Sequence, residues 1–174
     1  MKIGVNAGSG QRPFTSTPEC QWINVDKLAR PDMPTPDIVC DAAKIPMEDG
    51  ALDYFVLHHT FEHAGLGEGD GMIREAHRLL KSGGALIVCV PDLRALATGW
   101  LQGKIDTITY AINLYGAYMG NDEDRHKFGY DYPLLYKCLD SAAKWGSICP
   151  FDWREIPGAS IAHDWWILGV ECKK

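Results

Sequence analysis

Residues 58 to 65 read HHTFEHAG, and His59, Glu62 and His63 within them make an H-x-x-E-H pattern. Two imidazoles and a carboxylate at that spacing are the ligand and base set of one zinc peptidase group. The chemistry would be hydrolysis by a metal-polarised water. It requires both imidazoles one turn apart on a helix, with a third ligand from elsewhere. Here the residues just before, Ala51 to Leu57, form a short apolar run that reads as a strand, so His59 leaves a strand end rather than a helix. The expectation is therefore no metal, with His63 a hydrogen-bonding residue and a candidate base.

The elements around this stretch alternate. Ile3 to Ala7 reads as a strand running into Gly8-Ser9-Gly10, Gln21 to Asp26 as a second strand ending on an acid, and Asp37 to Cys40 as a third ending at Asp41. Pro13 and Pro18 break the first connection, and the prolines of residues 29 to 36 break the second, so neither crossover can be an ordinary helix. Gly71 to Lys81 has helical periodicity, with Ser82-Gly83-Gly84 as its stop before a strand from Ala85 to Val90. Pro91 to Asp124 reads as loosely specified helix punctuated by glycines, with the character of a lid. Tyr132 to Trp145 is a clearer helix, and Phe151 to Ile156 with Trp165 to Cys172 form an antiparallel pair around Pro157-Gly158. The fold class is α/β: a Rossmann-like, mostly parallel seven-stranded sheet with helices on both faces and a C-terminal antiparallel strand pair.

Bulk properties narrow the function. A chain of 174 residues suits a single domain, 1–174. The net charge of -6 leaves no basic excess for a phosphate backbone, so nucleic acid is not an expected partner. No apolar run reaches the ~20 residues of a membrane helix, and six cysteines without a C-x-x-C pair fit a reducing, cytoplasmic setting.

The ordered set Val5-Asn-Ala-Gly-Ser-Gly10, Trp22-Ile-Asn-Val-Asp26, Cys40-Asp-Ala-Ala-Lys-Ile-Pro46, Phe61-Glu-His63, Arg78-Leu-Leu-Lys-Ser-Gly-Gly84 and Val90-Pro-Asp92 resembles class I S-adenosylmethionine-dependent methyltransferases. The resemblance is strong over roughly the first 95 residues and weak beyond them, and it implies a cofactor half over about 1–95 with lid and acceptor elements over about 96–174. It implies S-adenosyl-L-methionine as cofactor, held by Asn6, Ala7, Gly8, Ser9 and Gly10 of the glycine loop, by Asp26 at the ribose, by Asp41 and Ala42 at the adenine, and by His58 and His59 at the methionine end. Asp26 is chemically apt, since one carboxylate can accept from both ribose hydroxyls.

Methyl transfer is an in-line displacement that needs alignment and exclusion of water, and a base only where the acceptor loses a proton. His63, His126 and Tyr130 are the candidates for that base, with Lys127 and His163 as further positioning candidates. The acceptor expected is a small molecule or a saccharide, because no Asn-Pro-Pro-aromatic tetrapeptide follows the fourth strand. Asn6 stands where the resemblance implies an acid, and the shortened crossovers leave the cofactor half open or closed by another subunit, so a homo-oligomer is admitted. The same features carry an alternative, a non-catalytic binding or assembly subunit on the methyltransferase fold. A nicotinamide enzyme is disfavoured because Pro13 stands where G-x-G-x-x-G needs its third glycine.

Overall fold

Apolar runs without alternation require cover on both faces of a sheet. The computed structural model, which describes residues 1–159 and 165–174, shows a seven-stranded sheet so covered. Strands β1 (Lys2–Ala7), β2 (Cys20–Asp26), β3 (Ile38–Val39), β4 (Leu52–His58) and β5 (Leu80–Pro91) run parallel, while β7 (Ile167–Lys173) lies antiparallel between β5 and β6 (Ser147–Pro150). The spatial order is β3-β2-β1-β4-β5-β7-β6. The chain therefore reverses its direction of travel between β1 and β4, and a crevice opens at their carboxyl ends.

One face is covered by α1 (Asp70–Leu79) and α4 (Tyr132–Ala142), which bury Ile73, Ala76, Leu79, Leu135 and Leu139 with Val5, Phe55, Leu57 and Val88. The other face is covered by irregular chain. Phe14, from the proline-broken first connection, meets Trp22 edge to face at 4.9 Å, and Trp153 and Ile156 complete a second core with Val56, Ile87 and Cys89. The Trp22 indole N–H donates to the Pro157 carbonyl at 2.6 Å, which ties this cover together. Helices α2 (Leu93–Leu101) and α3 (Thr107–Tyr115) follow β5, capped by Asp92 and Asp106, with Trp100 stacked on Tyr110 at 5.0 Å.

Three expected boundaries move. Helix α1 ends at Leu79, and Ser82-Gly83-Gly84 is not its stop but part of an irregularity within β5, between the pairings Leu52 to Leu80 and Tyr54 to Ala85. The open carbonyls at that helix end are met instead by the Lys174 ammonium, which donates to His77 and Leu80. Helix α4 ends at Ala142, short of Trp145, whose indole turns back to donate to the Leu139 carbonyl at 3.1 Å. Phe151 to Ile156 is not a strand. The edge strand is Ser147–Pro150, and the Asp152 carboxylate caps a single 3-10 turn, Trp153–Glu155, which carries Trp153 inward.

Candidate functional site

The glycine loop after β1 is shaped by its neighbours. Gly8 has φ +76°, and a Cβ there would run into the Thr60 side chain, whose hydroxyl donates to the Ala7 carbonyl at 2.8 Å. Gly10, at φ +44°, faces open space. The loop N–H groups are occupied within the protein: those of Gly8 and Ser9 donate to the Val25 carbonyl, and that of Gly10 donates to Asp26 at 2.8 Å. Asp26 also accepts the Leu28 N–H at 2.9 Å on its other oxygen. Each oxygen keeps a further lone-pair site, so the carboxylate is oriented without being saturated.

Beyond β4 the chain turns sharply. His59 takes φ +53°, a left-handed conformation uncommon for a side-chain-bearing residue, and its Nδ1 lies 3.0 Å from Glu62 Oε1. Residues Phe61–His63 form one 3-10 turn. The helix a peptidase H-x-x-E-H needs is therefore not there. Glu62 is 1% exposed, and its Oε2 has no partner. Burial pushes its carboxyl upward, but the hydrogen bond from His59 and the charges of His59, His126 and His63 outweigh it and hold the group below the ordinary glutamate value. His58 is buried against Phe14. Desolvation, with His59 and Arg12 nearby, holds its imidazole down to about 3, so it is neutral, and its Nε2 is unpartnered.

A strap from α3 onward closes the far side. The Arg30 guanidinium meets Asp124 at 2.6 Å, Lys27 meets Glu123 at 3.1 Å, and the Asn121 and Asp124 side chains form a reciprocal cap. The resulting cleft, about 540 Å³, is of small-molecule size. Gly8, Ser9, Gly10, Asp26, Asp41 and Ala42 line it. So do His58, His59, His63, His126 and Lys127.

Three expected residues lie away from it. Asn6 and Ala7 are buried behind the loop, where the Asn6 amide donates to the Arg12 carbonyl and to Asn24 Oδ1. Tyr130 is a core residue packed on Phe61 and Phe128, and burial raises its phenol. His163 lies outside the described residues. Sequence reasoning missed Arg12, Asn113 and Met119, which also line the cleft. Only the strap left a trace, in the Asn121-x-x-Asp124 capping spacing.

The profile of a family described as "Methyltransferase domain" matches residues 2–88, half of the chain. The chain belongs to that family. This methyltransferase is S-adenosylmethionine-dependent, as its family is. A search of curated protein sequences gives no match. Its fold is shared with a SAM-dependent methyltransferase from Archaeoglobus fulgidus (TM-score 0.63, 13% identity, 99% of this chain and 86% of that one). It is shared too with the Burkholderia thailandensis 1,6-didemethyltoxoflavin-N1-methyltransferase with bound 1,6-didemethyltoxoflavin and S-adenosylhomocysteine (0.57, 14%, 99% and 71%). A third is the Haloferax volcanii putative methyltransferase in complex with the activator Trm112 (0.57, 14%, 99% and 82%). Among the described residues of this methyltransferase, no helix is long and apolar enough to cross a membrane. An open glycine turn, a half-saturated carboxylate at the end of β2, and the small Ala42 all line this one cleft, a set chemically compatible with the family's donor.

Proposed function

We propose that this methyltransferase, a single domain over 1–174, transfers the methyl group of S-adenosylmethionine to a small-molecule or saccharide acceptor inside the cleft. The observation that carries this is the continuity of one cleft from Asp26 to the histidines beyond β4. The donor supplies an electrophilic methyl on a sulfonium. Asp26 accepts from the ribose hydroxyls, Gly8 and Gly10 let the backbone lie close, and Asp41 with Ala42 flanks the adenine. His58 and His59 face the methionine end. His63 and His126, which also line the cleft, orient the acceptor or take its proton, while the strap excludes water. Asn6 and Ala7 support the loop from behind.

The Burkholderia neighbour accommodates a small heterocycle on the same fold, which supports this acceptor class. The test is to incubate the protein with S-adenosylmethionine and a panel of hydroxyl- and amine-bearing metabolites and sugar nucleotides, and to measure S-adenosylhomocysteine release. Acceptor-dependent release above the acceptor-free rate supports the reading. Release only with protein or nucleic acid acceptors contradicts it.

A second reading, an assembly subunit, is favoured by α3, whose Ile108, Ile112 and Tyr115 are exposed, and by the helix-free crossovers after β1 and β2. The Haloferax neighbour is bound to an activator protein. A second copy of this chain or another protein on α3 would be compatible with catalysis. Light scattering of the purified protein separates a monomer from a homo-oligomer.

A further inference from the structure

Glu62, His63 and His126 converge although His63 and Arg125, the neighbour of His126, are 62 positions apart in the chain. One potential ligand atom from each lies within 4.8 Å of the others. The convergence is built by the backbone. The N–H groups of Lys127 and Phe128 both donate to the Glu62 carbonyl, at 2.8 and 3.1 Å, which clamps His126 beside the Glu62 turn.

The imidazoles are oriented by carbonyl oxygens, which can only accept. His63 Nδ1 lies 3.1 Å from the Arg125 carbonyl and His126 Nδ1 lies 2.9 Å from the Asn113 carbonyl, so each Nδ1 carries the proton. Nε2 is then the nitrogen of each ring that can offer a lone pair to a metal. His126 Nε2 is 3.9 Å from Glu62 Oε1, acceptor facing acceptor. An Nδ1–H bonded to a backbone carbonyl is the arrangement that orients a metal-ligating histidine.

The carboxylate points to the same occupant. His59 occupies Oε1, but Oε2 of this 1% exposed residue has no partner, and a buried oxygen left without one is costly. No lysine or arginine pairs with Glu62 among the described residues; only histidines are in reach.

We propose that Glu62, His63 and His126 bind one divalent transition-metal ion of the zinc class beside the cleft that His63 and His126 line. Two imidazoles and one carboxylate are a zinc-type set that leaves a coordination position open, and imidazole ligands disfavour magnesium and calcium. His63 and His126 face the cleft, so the open position is available to a hydroxyl oxygen of the acceptor. That last clause rests on the methyl-transfer reading, whereas the metal site does not. The ligand set differs from the peptidase pattern: His59 is no ligand but holds the carboxylate, and His126 comes from the strap.

The test is metal binding by the full chain after stripping with a chelator, read by calorimetry with zinc chloride and by the visible absorption of the cobalt(II) form. We expect one equivalent of zinc, an intense cobalt band typical of low coordination number, and at least about tenfold weaker binding in His63→Ala, His126→Gln and Glu62→Gln. His63 is partly exposed, so His63→Ala decides should Glu62→Gln fail to fold. Absence of zinc binding, or binding equally tight in all folded variants and so owed to cysteines, overturns the proposal. S-adenosylhomocysteine binding by the stripped protein is measured in parallel. Donor binding without zinc binding sinks the metal site alone, and zinc binding without donor binding sinks the donor reading alone.

Discussion

Asp26 and Gly10 are joined by a 2.8 Å hydrogen bond from the loop N–H to the carboxylate, so the end of β2 fixes the turn that follows β1. The same carboxylate proposed to hold a ribose thus also holds the loop against which the ribose would lie. A glycine-rich turn is mobile by itself. Its shape here is imposed by Asp26, by the Val25 carbonyl and by Thr60.

Gly8→Ala tests that imposition. The substitution places a Cβ against Thr60 and a side chain at φ +76°. We expect about 1–3 kcal/mol loss of stability in denaturant titration from the strained conformation and crowding. Partial recovery is expected in the double variant Gly8→Ala/Thr60→Ser, which removes one of the crowding atoms.

Asn24 is the second support. Its Oδ1 accepts from the Phe14 N–H at 2.7 Å and from the Asn6 amide at 3.0 Å, and its Nδ2 donates to the Phe14 carbonyl at 3.1 Å. Asn24→Ala leaves these buried groups unpaired, so about 1–3 kcal/mol of destabilisation is expected. Urea unfolding followed by tryptophan fluorescence measures it, since Phe14 packs on Trp22.

The Arg30 pair with Asp124 makes the strap sensitive to acid. The Arg30 hydrogen bond, opposed by desolvation, holds the Asp124 carboxyl below its ordinary value. Its native value is thus lower than its unfolded one. The stabilisation is complete above the unfolded value and is lost as pH falls through the native value. Thermal melts from about pH 6 down to about pH 3 should show wild type losing more stability than Asp124→Asn, which starts lower and lacks this titration. Parallel curves for the two proteins would remove the pair from the account.

Much of this molecule was legible because its signals are local. Apolar runs gave β1, β2, β4 and the core of β5, while prolines excluded helices after β1 and β2. The glycine loop, Asp26, Asp41, His59, His63 and His126 were readable from residue type and order, and they line one cleft. What stayed hidden depends on distant partners. Nothing local reveals that Asn6 turns toward Asn24, that Tyr130 sits under Phe61, or that the Glu62 carbonyl captures Lys127 and Phe128. The strand expected at Phe151 to Ile156 failed for a similar reason: the alternation of Phe151, Trp153 and Ile156 with charged residues has no marker for a turn made by an Asp152 cap and a tryptophan recruited to the opposite core.

The most direct measurement is calorimetric titration of S-adenosylhomocysteine into wild type, Asp26→Asn and Asp26→Ala, each checked for native circular dichroism. Binding to wild type is expected, with Asp26→Ala weakened by about 1–3 kcal/mol through loss of charge-assisted hydrogen bonds, and Asp26→Asn weakened less. Unchanged affinity in folded Asp26→Ala would place the nucleoside somewhere other than the tips of β1 and β2 and contradict the account.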